Sequence, residues 1–187
     1  MSEARAPADH AVADTRRWLE RAVIGLNLCP FAKAVYAKDQ VRIVCSDATT
    51  PAALLAELGE ELLHLRDTPA DTTDTTLLVH PLVLGDFLDY NDFLDQADAL
   101  VEALELDGVL QVASFHPDYQ FADSRPDDIE NYSNRAPYPT LHLLREDSVA
   151  RAVGAYPDPD VIVERNYATL RKLGHEGWRR LLADEAG

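Results

Sequence analysis

Short apolar segments of strand length alternate with amphipathic segments of helix length along this chain. Residues 40–46, 75–80 and 109–116 are rich in β-branched and other apolar side chains. The stretches between them carry leucine and alanine three and four positions apart, a spacing that places apolar side chains on one face of a helix. Alternating strands and helices favour parallel strands joined by right-handed crossovers. The sequence therefore predicts an α/β sandwich with a small, mostly parallel four-stranded sheet flanked by helices.

The last predicted strand, residues 140–145, is preceded by a long irregular segment rather than by a helix. This strand can therefore run antiparallel to its neighbours, and a ferredoxin-like α+β arrangement is the alternative fold. The third strand, residues 109–116, is nearly continuous in apolar content, which is typical of a strand at the centre of a sheet.

Capping residues and helix breakers predict where the helices begin and end. The first helix is interrupted around Pro30, because proline disfavours a helical residue before it and has no backbone N–H. Asn91 or Asp92 is placed to cap the third long helix, and Gly174 and Gly177 can bend the last one. The length suits one domain, so we expect a flexible tail over residues 1–13 and a single domain over residues 14–187.

Charge and composition exclude several classes of protein. The chain has 187 residues, with 17 Lys and Arg against 33 Asp and Glu, and a formal net charge of −16. This charge repels phosphate, so we expect no nucleic-acid partner. No apolar run approaches the ~20 residues of a membrane-spanning helix, and the first residues lack the apolar region of a secretory signal. We therefore expect a cytoplasmic protein without a membrane span, whose 2 cysteines do not form a disulfide scaffold.

Three predicted strands end in a side chain that can bind metal. They end at Cys45, His80 and His116. Ligands bind outside the carboxyl ends of parallel strands, so neighbouring strands would align these residues along one rim. Cysteine and histidine bind Zn²⁺ and other transition metals, and a divalent transition metal held by His80 and His116 is one expectation. The alternative is that the histidines are hydrogen-bonded boundary residues and that Cys45 is a small buried apolar residue.

The long irregular segment after the third strand carries the densest set of chemically capable side chains. His116 can act as a general base, Asp118 can orient it, and Tyr119 can donate a hydrogen bond from its hydroxyl. Arg135 presents a planar fork that suits a carboxylate or a phosphate. The substrate-binding candidates are Arg135, Tyr138 and Asn134. The alternative is an ordered loop in which Arg135 forms a structural ion pair.

Two further residues complete the candidates. Cys29 lies in the break around Pro30, where its thiol is either exposed and reactive or packed in a turn. We place Cys29 with His116, Asp118 and Tyr119 in the catalytic set. His142 alternates with leucines on the fourth strand, so it either points to the same rim or is a half-buried strand residue, and we prefer the second interpretation.

Three functions follow from these candidates, and the sequence does not define a reaction class. The first is a small cytosolic enzyme that acts on a small polar or anionic metabolite at a strand-end pocket lined by Cys, His and Arg. The second is a non-enzymatic metal-binding or redox-sensing protein that uses Cys29 with His80 and His116. The third is an acidic interaction module that docks a basic partner and depends strongly on salt. The oligomeric state stays open.

Several long motifs resemble a known bacterial family. They are the segments over residues 27–33, 76–81, 86–94, 114–121 and 134–142. Together they are similar to the DUF1415 family, and the similarity spans roughly residues 14 to 182. That family is a domain of unknown function. The resemblance implies one domain and a soluble bacterial-type protein, and it implies no activity, cofactor or catalytic residue.

Overall fold

The computed structural model describes residues 5–183, and helices and strands alternate along most of this range. The helices are α1 (Arg5–Trp18), α2 (Ala32–Ala37), α3 (Pro51–Asp67), α4 (Phe87–Ala103), α5 (Glu146–Gly154) and α6 (Asp160–Leu182). The strands are β1 (Val41–Cys45), β2 (Thr75–Val79), β3 (Leu110–Phe115) and β4 (Thr140–Arg145). A π-helical segment, Leu19–Ile24, continues α1, and a 3₁₀ helix, Ile129–Asn134, lies between β3 and β4.

The four strands form one sheet in the order β1-β2-β4-β3. β1 pairs parallel with β2, whereas β4 pairs antiparallel with both β2 and β3. The predicted α/β fold with a four-stranded sheet is confirmed, as is the antiparallel direction of the last strand. The expectation of a mostly parallel sheet is wrong, because β4 inserts between β2 and β3 and makes two of the three pairings antiparallel. A parallel return to the sheet would need a crossover helix, which the segment before β4 does not supply.

β3 lies at the edge of the sheet, so its predicted central position is also wrong. The central strands are β2 and β4, which contain the fully buried residues Leu78, Val79, Leu141 and Leu143. Most of β3 is only partly buried. The apolar run therefore indicated that both faces of β3 are at least partly covered. It did not indicate that β3 has a neighbouring strand on each side.

One face of the sheet packs against α3 and α4. Leu54, Leu58, Leu62 and Leu65 form the buried stripe of α3. They join the α4 residues and one face of the strands in a single apolar cluster, the first core. The Thr50 hydroxyl caps α3 by accepting from the Ala53 N–H at 3.2 Å. These contacts fix the first helical layer by burying apolar area.

α4 begins more than one turn earlier than its sequence predicts. The Asp86 carboxylate accepts hydrogen bonds from the N–H groups of Leu88 and Asp89, at 2.9 and 3.2 Å. Asp86 is therefore the N-cap, and the predicted caps Asn91 and Asp92 lie inside the helix. Leu88 is highly exposed, but Phe87 and Tyr90 pack in the apolar cluster, so the buried face of α4 begins in its first turn.

The other face of the sheet is covered by α1, the π-helical segment and α6. Another apolar cluster, the second core, lies there and contains Leu77 of β2 together with the buried residues Trp18, Ala22, Leu170 and Trp178. The chain is thus a single-domain sandwich of three layers. Residues 5–13, which we expected to belong to a flexible tail, lie in α1, and residues 1–4 of that predicted tail lie outside the described residues.

Two glycines mark the ends of regular helix. Gly25 follows the π-helical segment, and a Cβ there would lie 2.2 Å from the Arg21 carbonyl oxygen. The break around Pro30 follows at once, as predicted. Gly174 interrupts α6 with φ 69° and ψ 173°, a conformation open mainly to glycine. The predicted bend at Gly174 is confirmed.

Across residues 5–183, none of the helices is both long enough and apolar enough to cross a membrane.

Candidate functional site

A cavity of about 340 Å³ lies on the second face of the sheet, among α1, the π-helical segment, α2 and α5. Its walls are mainly apolar and come from both the helices and the sheet. Trp18 lines it from α1, Val23 from the π-helical segment, Leu77 and Phe115 from the sheet, and Ala152 from α5. The volume and the apolar lining match those of pockets that hold small organic molecules.

His142 is the histidine that lines this cavity. It lies on the central strand β4, opposite Leu77 of β2 and Ala113 of β3. Its Nε2 is 2.7 Å from the Thr75 hydroxyl, and no described residue forms a hydrogen bond with Nδ1. Burial lowers the pKa of His142 to about 4, so its imidazole is neutral at pH 7.

The polar residues of the lining cluster at one end of the sheet, where β2 and β3 begin and β4 ends. Ser148 donates a hydrogen bond to Asp74 at 2.6 Å. Arg145 donates to the carbonyl oxygens of Leu65, Thr68 and Thr73 at 2.5 to 3.3 Å. β1, β2 and β3 run in the same direction, because β4 is antiparallel to both β2 and β3. The cavity therefore lies toward the amino ends of these three strands, opposite to the carboxyl ends where we expected the site.

Cys29 also lines this cavity, from the turn that follows the π-helical segment. The turn is packed: the N–H of Leu28 donates to the Val23 carbonyl at 2.9 Å, and Cys29 is partly buried against the second core. Its free thiol thus faces the same space as His142. It does not lie with His80 and His116, which pack on the opposite face of the sheet.

His80 is fully buried at the end of β2, where its Nδ1 donates to the Val83 carbonyl at 3.0 Å. Its Nε2 is buried and has no hydrogen-bond partner among the described residues. Burial lowers the pKa of His80 to about 4, with a smaller contribution from the nearby His116. The ring stacks on Tyr90, with 5.8 Å between centroids.

His116 is also fully buried, and both of its ring nitrogens form hydrogen bonds. Nε2 lies 3.0 Å from the Leu84 carbonyl, and Nδ1 accepts from the Asp118 N–H at 3.0 Å. A carbonyl can only accept, so Nε2 carries the proton. Burial lowers the pKa of His116. Neither nitrogen has a free lone pair for a metal or for a substrate proton in this conformation.

The expected metal rim does not form. Cys45 shares a sheet face with Ile43, which packs in the second core, whereas His80 and His116 contact Tyr90 of the first core. Within residues 5–183, there is no group of three or more His, Cys, Asp or Glu that could hold a metal ion. Burial raises the pKa of the Cys45 thiol, as for a small buried residue.

Tyr90 connects the two buried histidines, and sequence reasoning did not single it out. Its hydroxyl donates to the Thr140 carbonyl at 2.7 Å and accepts from the Phe115 N–H at 3.1 Å. Its ring lies between those of His80 and His116, at 5.8 and 5.0 Å. This arrangement joins the end of β3 to the start of β4, which is a structural role.

Arg135 lies at a separate, open depression of about 670 Å³, with Asp118 and Tyr132. Its Nε and Nη2 donate to the carbonyls of Tyr119 and Pro126 at 3.1 and 2.6 Å. Its guanidinium lies over the Tyr132 ring at 4.4 Å. Arg135 therefore holds the long loop together through carbonyl contacts, and His116 does not line this depression.

The other predicted substrate-binding residues support the same loop. Asn134 donates to the Ser114 carbonyl at 3.3 Å. Tyr138 donates to Asp14 at 2.7 Å, and burial with this carboxylate raises its pKa to about 12. The Tyr119 ring packs on Phe87 with 5.1 Å between centroids.

The predicted set is therefore divided among three places: Cys29 at the cavity, the two histidines in the first core, and Asp118 with Arg135 at the open depression. The sequence did contain a signal for His142. It is a titratable residue in an apolar strand, flanked by two buried leucines that point to the other face.

The fold and the cavity define a single-domain α/β sandwich with an apolar pocket between one sheet face and its helices. The chain belongs to the DUF1415 family, whose model is described as a protein of unknown function and matches residues 10–180. The resemblance predicted from the motifs is confirmed. No curated protein and no solved structure matches the chain.

Proposed function

We propose that this protein binds a small, largely apolar molecule in the cavity lined by His142. The observation that carries the proposal is the cavity itself, about 340 Å³ of space beside the core of a 187-residue chain. Sites for small molecules are concave and mainly apolar, with a few polar groups that orient the ligand. The space beside His142 has this size and this kind of lining, which supports a binding site there.

The position of the π-helical segment supports the same site. Leu19 and Val23 belong to this segment and line the cavity. π-helical turns are rare, and they occur frequently at functional sites. Here it directs two apolar side chains toward the pocket and leads into the turn that carries Cys29.

The lining favours an apolar ligand over the anionic metabolite expected from the sequence. The charged residues at its edge, Asp74 and Arg145, already form hydrogen bonds within the protein. The other polar groups of the lining include the neutral imidazole of His142, the thiol of Cys29 and the amide of Gln111, and none of these is a cation. A small anion would thus lose water without gaining a free cationic partner in this lining.

An enzyme that transforms the bound molecule is the second candidate function. It is favoured by the presence of the Cys29 thiol and the His142 imidazole in one cavity. Both groups can exchange protons or attack an electrophile, so they are the residues to substitute once a ligand is known.

The test uses naphthalene as an apolar probe and a pair of variants on α5. Ala152 lines the cavity, whereas Ala150, on the same helix, is exposed. We expect naphthalene to bind the parent protein and Ala150→Phe, giving saturation-transfer NMR signals and a raised melting temperature. Ala152→Phe fills the space, so it should lose both effects while remaining folded. Absence of naphthalene binding to the parent would overturn the proposal, as would undiminished binding to Ala152→Phe.

A further inference from the structure

We propose that the cavity selects a ligand that donates a hydrogen bond, such as an aromatic or aliphatic alcohol, and that Thr75 is the positioning residue for this selection. The inference rests on the proposed function. It names the class of ligand and the residue that sets it. The observation behind it is a chain of two hydrogen bonds that ends at the ring of His142.

The Thr75 hydroxyl lies between two groups that compete for its single proton. Its oxygen is 2.6 Å from the Leu143 carbonyl and 2.7 Å from Nε2 of His142. A carbonyl can only accept, so the hydroxyl donates to Leu143. The hydroxyl oxygen must then accept from His142, which places the ring proton on Nε2. The other nitrogen, Nδ1, therefore carries a lone pair.

The surroundings of His142 leave that lone pair for a ligand. Phe115 packs against the ring with 5.8 Å between centroids, and Trp18 and Leu77 line the same space. None of the described residues donates a hydrogen bond to Nδ1. The pKa of about 4 keeps the ring neutral at pH 7, so Nδ1 acts there as an acceptor.

An acceptor in an apolar cavity distinguishes ligands that are similar in shape but differ in whether they can donate a hydrogen bond. A ligand hydroxyl can donate its proton to Nδ1. The corresponding methyl ether has no such proton, so it places either an oxygen lone pair or a methyl group against the lone pair of Nδ1. A site built to hydrogen-bond one group rejects the analogue that lacks it, since the polar atom of the site is left unpaired. We expect a preference of roughly 10-fold to 100-fold for the alcohol.

The experiment compares three probes that share the naphthalene ring system: 2-naphthol, 2-methoxynaphthalene and naphthalene. Their dissociation constants are measured by titration calorimetry for the parent protein and two variants. Thr75→Val removes the hydroxyl that fixes the ring. Thr76→Val is the matched control, because Thr76 is the next residue on the strand and its buried hydroxyl has no hydrogen-bond partner within residues 5–183.

We expect the parent and Thr76→Val to bind 2-naphthol at least about tenfold more tightly than the other two probes. Thr75→Val should lose most of this preference and keep the affinity for naphthalene, because His142 is then free to carry its proton on Nδ1. Nitrogen-15 NMR of the imidazole supplies a second readout. In the parent, Nδ1 should give the signal of an unprotonated nitrogen that shifts when 2-naphthol binds.

Each of the other possible results would overturn a specific part of the proposal. Equal binding of the three probes to the parent would overturn the hydrogen-bond selection and leave the proposed apolar cavity intact. An unchanged preference in Thr75→Val would overturn the role of Thr75. No binding of any probe to the parent would overturn the proposed function and this inference with it.

Discussion

Tyr90 is the residue through which α4 holds the ends of β3 and β4. Its hydroxyl satisfies a strand carbonyl at Thr140 and a strand N–H at Phe115, both in the interior. Tyr90→Phe keeps the ring packing but removes the two buried hydrogen bonds that the hydroxyl makes with these backbone groups. We expect a loss of about 1–3 kcal/mol in the free energy of unfolding, measured by urea denaturation. Trp18 and Trp178 are both buried, so tryptophan fluorescence reports the transition.

Tyr36→Phe is the matched control for this prediction. The Tyr36 hydroxyl donates to Glu20 near the surface, where water replaces the lost partner. Its removal should change the free energy of unfolding by no more than about 0.5 kcal/mol. Equal effects of the two substitutions would contradict the structural role of Tyr90.

At the same scale, the sequence predicted which side chains are chemically capable better than it predicted which of them lie close together. Cys29 was predicted to be a catalytic candidate and His142 was interpreted as a half-buried strand residue, and both line the cavity. Their proximity depends on how α1 and the turn after it pack on the sheet, which no local spacing encodes. His116 shows the reverse case: its position after a strand predicted a reactive group, yet backbone partners at Leu84 and Asp118 occupy both nitrogens.

At the scale of elements, the start of α4 is set by one carboxylate. Asp86 accepts two N–H groups of the first turn, so Asp86→Ala should lower the free energy of unfolding by about 1 kcal/mol. Asp92→Ala is the control, because Asp92 is exposed inside the helix and alanine is a better helix former there. Urea denaturation of the two variants distinguishes these positions. A larger loss in Asp92→Ala would contradict the observed cap.

The elements themselves were predictable, whereas their arrangement in the sheet was less so. Periodic leucines identified α3, and β-branched runs identified β1 and β2, since burial on one or two faces leaves a local pattern. The neighbour of a strand is decided by packing over long sequence distances. Leu77 of β2 pairs with His142 of β4, across the whole of α4 and β3, and nothing near either residue specifies that pairing.

At the scale of the whole molecule, buried neutral histidines make stability depend on pH. The pKa values of His80 and His142 are lowered by burial from 6.5 to about 4. The unfolded chain therefore binds more protons than the folded one between these values, and stability falls as the pH falls through 6.5. Between pH 7 and pH 5 we expect the two residues together to remove on the order of 3 kcal/mol from the free energy of unfolding.

Urea denaturation at pH 7, 6 and 5 measures this dependence. His64→Gln is the control, because His64 is exposed on α3 and its substitution should leave the pH dependence unchanged. A free energy of unfolding that stays constant from pH 7 to pH 5, or rises on acidification, would contradict the buried neutral state of His80 and His142.

The insertion of β4 between β2 and β3 has a consequence for synthesis on the ribosome. The chain emerges from its amino end, so β2 and β3 leave the exit tunnel before the strand that separates them. Until residue 145 has emerged, the edges of β2 and β3 that face β4 have no partner, and unpaired edges readily recruit strands of other chains. The nascent polypeptide is therefore most exposed to aggregation during translation of the long loop, and the sheet closes only when β4 arrives.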